Sequence, residues 1–162
     1  MKELTAYIEQ LAEQHNLIRH NRDGQIHFID ASRERMTALD TVLFQPSVIL
    51  NRGDGYTFSG EEGATIKNKT YQIFIVDHVT DTADYHQIES VFDECEKILD
   101  EFFARITIDS KKTEYRFLRT FRMQGIEVSY VENIDNSLYG VMAVFRLDNP
   151  YCMTIKNGFD GL

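Results

Sequence analysis

Asp77, His78, Asp81, Asp84 and His86 make the densest group of carboxylates and imidazoles in the chain. Those residue types can ligate a metal or pass a proton as a general acid–base pair. Their spacing fits neither role well, because the two histidines stand a turn apart and outside any His-Glu-x-x-His arrangement. A charged cap at a strand-to-helix corner accounts for the same residues, and it is the preferred reading.

Asp54, Gly55 and Tyr56 lie in a glycine-rich stretch that could be taken for a phosphate cradle. Neither Gly-x-x-x-x-Gly-Lys-Ser/Thr nor Gly-x-Gly-x-x-Gly is present, and Asp54, Glu61 and Glu62 would repel a phosphate. No Gly-x-Ser-x-Gly elbow and no activated-cysteine context marks a nucleophile. Cys95 falls on the apolar stripe of a helix and is expected to be buried and inert. Cys152 is the other cysteine, and the pair has neither the number nor the spacing of a disulfide framework or a zinc site. Catalytic, cofactor-binding and metal-binding residues are therefore assigned to none, and no cofactor is expected.

The elements around these residues follow from periodicity. Residues 84–106 carry Ile88, Val91, Phe92, Cys95, Ile98, Leu99, Phe102, Phe103 and Ile106 at steps of three and four, which predicts a long amphipathic helix. Asp81 or Thr82 is its expected N-cap, with Asp84 in the first turn. Leu4, Tyr7, Ile8, Leu11 and His15 predict a first helix over residues 2–15, ending before the turn at 21–24. Residues 26–30 alternate as a short strand, and a short helix is expected over 31–39.

Pro46 precedes a strand at 47–50 that should stop by Asn51. Residues 53–63 hold four of the nine glycines and predict a long mobile loop. Residues 70–76 are apolar on both faces, as in a central strand covered on both sides. Extended segments are expected around 116–131 with a bulge at Gly125, then a turn at 132–137 and a partner strand at 138–147, closing a β-hairpin. From Asn149 onward the chain reads as a tail that is loosely held or packs on a neighbour. The whole is one α+β domain, an antiparallel or mixed sheet packed by an N-terminal helix and a long central helix.

With 26 acidic against 17 basic residues in 162, the net charge is −9, which disfavours nucleic acid as a partner. No secretion signal and no stretch of about 18 apolar residues is present, so a cytoplasmic location without membrane association is expected. Eight Tyr and eleven Phe exceed what two helices can bury. Tyr56, Phe58, Tyr151 and Phe159 fall in expected loop or tail segments, where exposed rings are contact residues more often than core residues. Arg116, Arg119 and Arg122 repeat every three residues among Phe117, Leu118 and Phe121. In so acidic a chain this strip is expected to pair with acidic groups of the same fold or of a neighbouring subunit.

The order of a 44–50 strand, a glycine-rich loop, the 71–78 strand, the helix and a hairpin ending at 138–145 resembles small prophage-type proteins of tail-completion or tail-terminator type. It is similar, too, to an uncharacterised bacterial family. The resemblance implies a structural protein that assembles as a ring at the end of a phage-like tail, through self-association or with other assembly proteins, without catalysis. Tyr56, Phe58, Arg119, Arg122 and Tyr151 are the interface candidates, chosen from loop placement and charge. The alternative is a cytosolic module that holds a small ligand or protein between its sheet and helices; an enzyme using Asp77, His78 and His86 comes third.

Overall fold

The computed structural model describes residues 2–31, 43–61, 64–134 and 137–150. In chain order these form α1 (Lys2–Gln14), β1 (Phe28–Asp30), β2 (Ser47–Ser59), β3 (Ile66–His78), α2 (Tyr85–Asp109), a 3-10 helix (Thr113–Leu118), β4 (Glu127–Ile134) and β5 (Leu138–Pro150). The class is α+β. The strands make one five-stranded sheet in the order β1-β2-β3-β5-β4, parallel between β1 and β2 and antiparallel elsewhere.

Burial on both faces places β3 at the centre. Its side chains alternate: Tyr71, Ile73 and Ile75 join Val48 and Leu50 of β2 and Val141, Ala143 and Phe145 of β5 against the helices. Phe74 and Val76 point the other way, into a second cluster with Ile29, Leu43, Ile49 and Leu138. A strand segment that feeds two cores must be apolar on both faces, which is why Ile73, Phe74, Ile75 and Val76 run without alternation, whereas Thr70 and Gln72 before them are polar and not buried.

On the helix side, α2 buries Val91, Cys95, Ile98, Leu99, Phe102, Phe103 and Ile106, while α1 contributes Leu4, Tyr7, Ile8, Leu11 and Ala12. Asp84 is the N-cap of α2, its carboxylate accepting from the backbone N–H groups of His86 (3.0 Å) and Gln87 (3.3 Å). Asp109 closes the same helix from an unfavourable position, a buried carboxylate beside the negative end of the dipole. Arg105 at 2.7 Å, Lys112 at 2.6 Å and the Tyr7 hydroxyl at 2.9 Å offset that cost. Burial pushes the Asp109 carboxyl up, but those three partners outweigh it and leave the group below the ordinary carboxylate range. The Tyr7 contact also ties α1 to the far end of α2.

Several expectations are corrected. The N-cap is Asp84 rather than Asp81 or Thr82, and Asp81 instead accepts from the Ala83 N–H in the preceding turn (2.9 Å). The strand expected to stop by Asn51 runs on to Ser59, through glycines that a loop was expected to hold. Residues 116–118, expected to be extended, are the end of the 3-10 helix Thr113–Leu118, with Leu118 drawn into the core at a turn. Gly125 sits at φ +84 in the turn before β4, not at a bulge. The expected helix at 31–39 lies outside the described residues save Ala31, as does the tail beyond Pro150. The expected hairpin is present, its strands at Glu127–Ile134 and Leu138–Pro150 instead of around 116–131 and at 138–147, so that β4 runs on into the expected turn.

β5 passes so close to β3 at Gly140 that a Cβ there would stand 2.0 Å from the Ile75 carbonyl oxygen and 2.9 Å from Val76 Cα. Both obstacles are backbone of the central strand. Gly140→Ala is expected to destabilise the fold by about 3 kcal/mol or more, read as a lower midpoint in chemical denaturation.

Candidate functional site

The first surface is an arm formed by the distal halves of β2 and β3. Arg52 faces Tyr71 across the ladder and Tyr56 faces Lys69, so Gly53, Asp54 and Gly55 together oppose Thr70. Three residues against one leave the inside–outside alternation intact. Gly53 approaches closely enough that a Cβ would meet the Thr70 side chain at 3.1 Å, and Gly55 adopts φ +154. Past this bulge the ladder resumes, with Tyr56, Phe58, Lys67 and Lys69 on the face that carries the helices nearer the core.

Tyr56 and Phe58 are 56% and 50% exposed. Their rings meet edge to face at 5.4 Å, and Lys67 Nζ lies 3.5 Å from the centre of the Tyr56 ring and 5.6 Å from that of Phe58. About half of each residue is open to solvent, yet the rings are held in a fixed cluster. That is how a contact residue is pre-organised. Beyond Leu50, the β2 edge away from β3 pairs with no other strand among the described residues.

The second surface is the opposite sheet edge, β4, and the helix beside it. Among the described residues β4 pairs with β5 alone, and it shows Val128 and Tyr130 to solvent. The Tyr130 ring packs 4.7 Å from Phe92 of α2, and its hydroxyl donates to Glu96, a bond that raises the hydroxyl above its usual pKa. Glu89, Asp93, Glu96 and Asp100 follow at helical spacing, so one stripe of carboxylates borders this edge.

The third feature is a polar corner that the sequence reading missed. Glu9, His20, His27, Asp30 and Thr5 are all buried where α1 meets β1. Arg22 donates through Nε and Nη2 to both Glu9 oxygens. His20 Nδ1 accepts the His27 N–H at 3.1 Å, leaving Nε2 to carry the proton toward Glu9 at 3.4 Å. Thr5 donates to Asp30 at 3.0 Å. Glu9, Glu13 and His20 bring ligand atoms within 4.8 Å of one another, but the guanidinium already neutralises Glu9. The corner fastens the 15–27 connection onto α1. Its only sequence signal was Glu9 between Thr5 and Ala12, inside the buried arc of a helix.

The Asp77 group does not converge on a site. Asp77 is raised by burial and accepts from the His78 N–H at 2.6 Å. Thr80, Asp81 and Gln87 bond to one another across the corner, and Asp84 caps the helix. Cys95 is buried, which pushes its thiol up to about 12, far from a reactive thiolate. Arg119 and Arg122 are exposed, and Arg122 donates to the carbonyls of Arg119 and Phe121. None of the ion pairs among the described residues involves Arg116, Arg119 or Arg122, so the expected pairing within the fold is not seen. Tyr56 and Phe58 stand on a strand instead of the expected loop, whereas Tyr151, Phe159 and Cys152 lie outside the described residues. No helix among the described residues is long and apolar enough to cross a membrane.

No protein-family model and no curated protein matches this chain.

The hydrogen bond from Arg22 holds the Glu9 carboxyl below its ordinary range, against the opposing effect of burial. A carboxyl so depressed stabilises the fold above its unfolded pKa and loses that contribution as pH falls through the folded value. Glu9→Gln is therefore expected to cost about 1 kcal/mol at neutral pH. The gap to the parent should close in acid, below the ordinary carboxylate range, when unfolding is followed at a series of pH values.

Proposed function

We propose that this chain is a non-enzymatic assembly protein that works by self-association or with other assembly proteins, as a tail-completion component forming a ring does. One observation carries the reading: two solvent-facing rings, Tyr56 and Phe58, are fixed on a paired strand arm with a cation over them. Exposed aromatics held rigid cost little entropy when a partner covers them. The polar clusters, by contrast, have their charges spent inside the fold, on a helix cap, a helix C-terminus and a loop anchor. An arm on one side and an open strand edge on the other are two different patches, the requirement for a head-to-tail ring.

A second reading, a small-ligand module, draws on a cleft of about 440 Å³ lined by Thr70, Thr120, Arg122 and Arg146. It lies beyond the start of β4, not between sheet and helices. Glu127 and Asp148 line the cleft as well, and Arg146 already donates to Asp148, which leaves Arg122 to meet a small anion there; a bound small anion in the purified protein would favour this reading.

Light scattering across a wide range of protein concentration is expected to give a discrete multiple of the 18.9 kDa subunit, a hexamer for a tail ring. A strict monomer throughout would overturn self-association. Tyr56→Ser with Phe58→Ser is expected to weaken association while costing the subunit about 1–2 kcal/mol of unfolding stability, the worth of the ring pair and the lysine contact it removes.

A further inference from the structure

We propose that the partner of the Tyr56–Phe58 arm is a second copy of this chain, and that the arm seats on the acidic α2–β4 face of that copy. The inference rests on the self-association reading and names the two surfaces that meet.

Charge complementarity selects the occupant. The arm and its base present Arg52, Lys67 and Lys69 around the two rings. The α2–β4 face presents Glu89, Asp93, Glu96 and Asp100 around Val128 and Tyr130, which are 50% and 60% exposed. Each surface is thus an exposed apolar centre beside charges of mainly one sign, and the two signs are opposite; Asp54 and Glu61 are the acidic residues of the arm's stretch among the described residues, and Lys97 is the basic one among the acidic positions of α2. In a chain of net charge −9, most other pairings of two copies bring carboxylates together and repel.

The backbone agrees with this choice. The arm ends on the outer β2 edge and the acidic face ends on the outer β4 edge, each unpaired among the described residues. These are the two sides of one sheet, so contact between them is heterologous and propagates from copy to copy. Unprotected strand edges are ordinarily blunted by charge or covered. Here the neighbour's arm would cover β4, and β4 would satisfy backbone groups of the arm.

Charge reversal on the full chain tests the assignment. Arg52→Glu with Lys69→Glu makes the arm acidic, and Glu89→Lys with Asp93→Lys makes the face basic. Each pair of changes puts like charges in contact. Each alone is expected to weaken association at least about tenfold, with circular dichroism and the unfolding midpoint reporting whether the subunit still folds. Mixing the two variants pairs an acidic arm with a basic face and a basic arm with an acidic face, and this mixture is expected to recover the parent oligomer. The chain carrying all four changes should recover it too. If the parent associates but neither pair of changes weakens it, or the mixture stays dissociated, the assigned surfaces are wrong while self-association stands. If the parent is monomeric at every concentration, self-association itself fails and the assignment falls with it. Glu96 is left untouched because it holds Tyr130.

Discussion

β3 has to be buried on both faces and bonded along both edges, and nearly everything else in the fold follows from that demand. Thirteen residues of β3 pair with β5 from Ile66 opposite Pro150 to His78 opposite Leu138, and β2 flanks the other side over almost the same length. Tyr71, Ile73 and Ile75 require a helix layer, which α1 and α2 supply. Phe74 and Val76 on the reverse face are flanked in the sheet by Ile29, Ile49 and Leu138 and joined there by Leu43. Each half of the demand burdens a different part of the chain. The close passage of β5 at Gly140 is a local feature of that pairing, since a Cβ there would run into the Ile75 carbonyl while its neighbours Tyr139 and Val141 carry side chains in the same ladder.

Length then separates core from arm. Thirteen strand residues span about 43 Å, against about 20 Å for the thirteen residues of α1 and about 38 Å for the 25 residues of α2. The sheet outruns the apolar cover on its helix side, and the residue types change where it does. Ile and Val in β3 give way to Lys67, Asn68 and Lys69, and β2 opposite passes from Val48, Ile49 and Leu50 to Arg52, Tyr56 and Phe58. The bulge at Gly53–Gly55 falls at this boundary. It lets the ladder restart without exchanging faces, so the rings remain together and beside the cations. The proposed contact surface is thus the end of the strand pair that, among the described residues, runs past the core it organises.

Much of this was legible in the residues. The stripe from Val91 to Ile106 and the two-sided apolar run at 70–76 have one sensible folded reading each, and the 127–150 hairpin declares itself by its change of period. The glycine-rich stretch misled because composition alone cannot tell a loop from a bulged strand. What keeps 51–59 extended is the ladder to Lys67–Tyr71, a non-local interaction that no window of sequence contains. Tyr56 and Phe58 were singled out as contact residues on the premise of a loop, and their exposure survives though the premise does not. The Arg116–Leu118 segment reads as extended by its spacing, but anchoring Leu118 in the core turns it into a 3-10 helix. The Glu9–His20–Arg22 corner was invisible for the same reason as the ladder, since its members converge only after the chain turns back on α1.

The central claim is that the overhanging β2 edge and the β4 edge are covered by neighbouring copies. Amide hydrogen exchange, followed at subunit concentrations below and above association, tests it most directly. The outward-facing amides of residues 52–59 and 127–134, which the ladders to β3 and β5 leave unbonded, should exchange freely in the dilute subunit and gain protection together as copies associate, while the centre of β3 stays equally protected throughout. Association that protects some other surface, or leaves both edges exchanging as fast as before, would contradict the account.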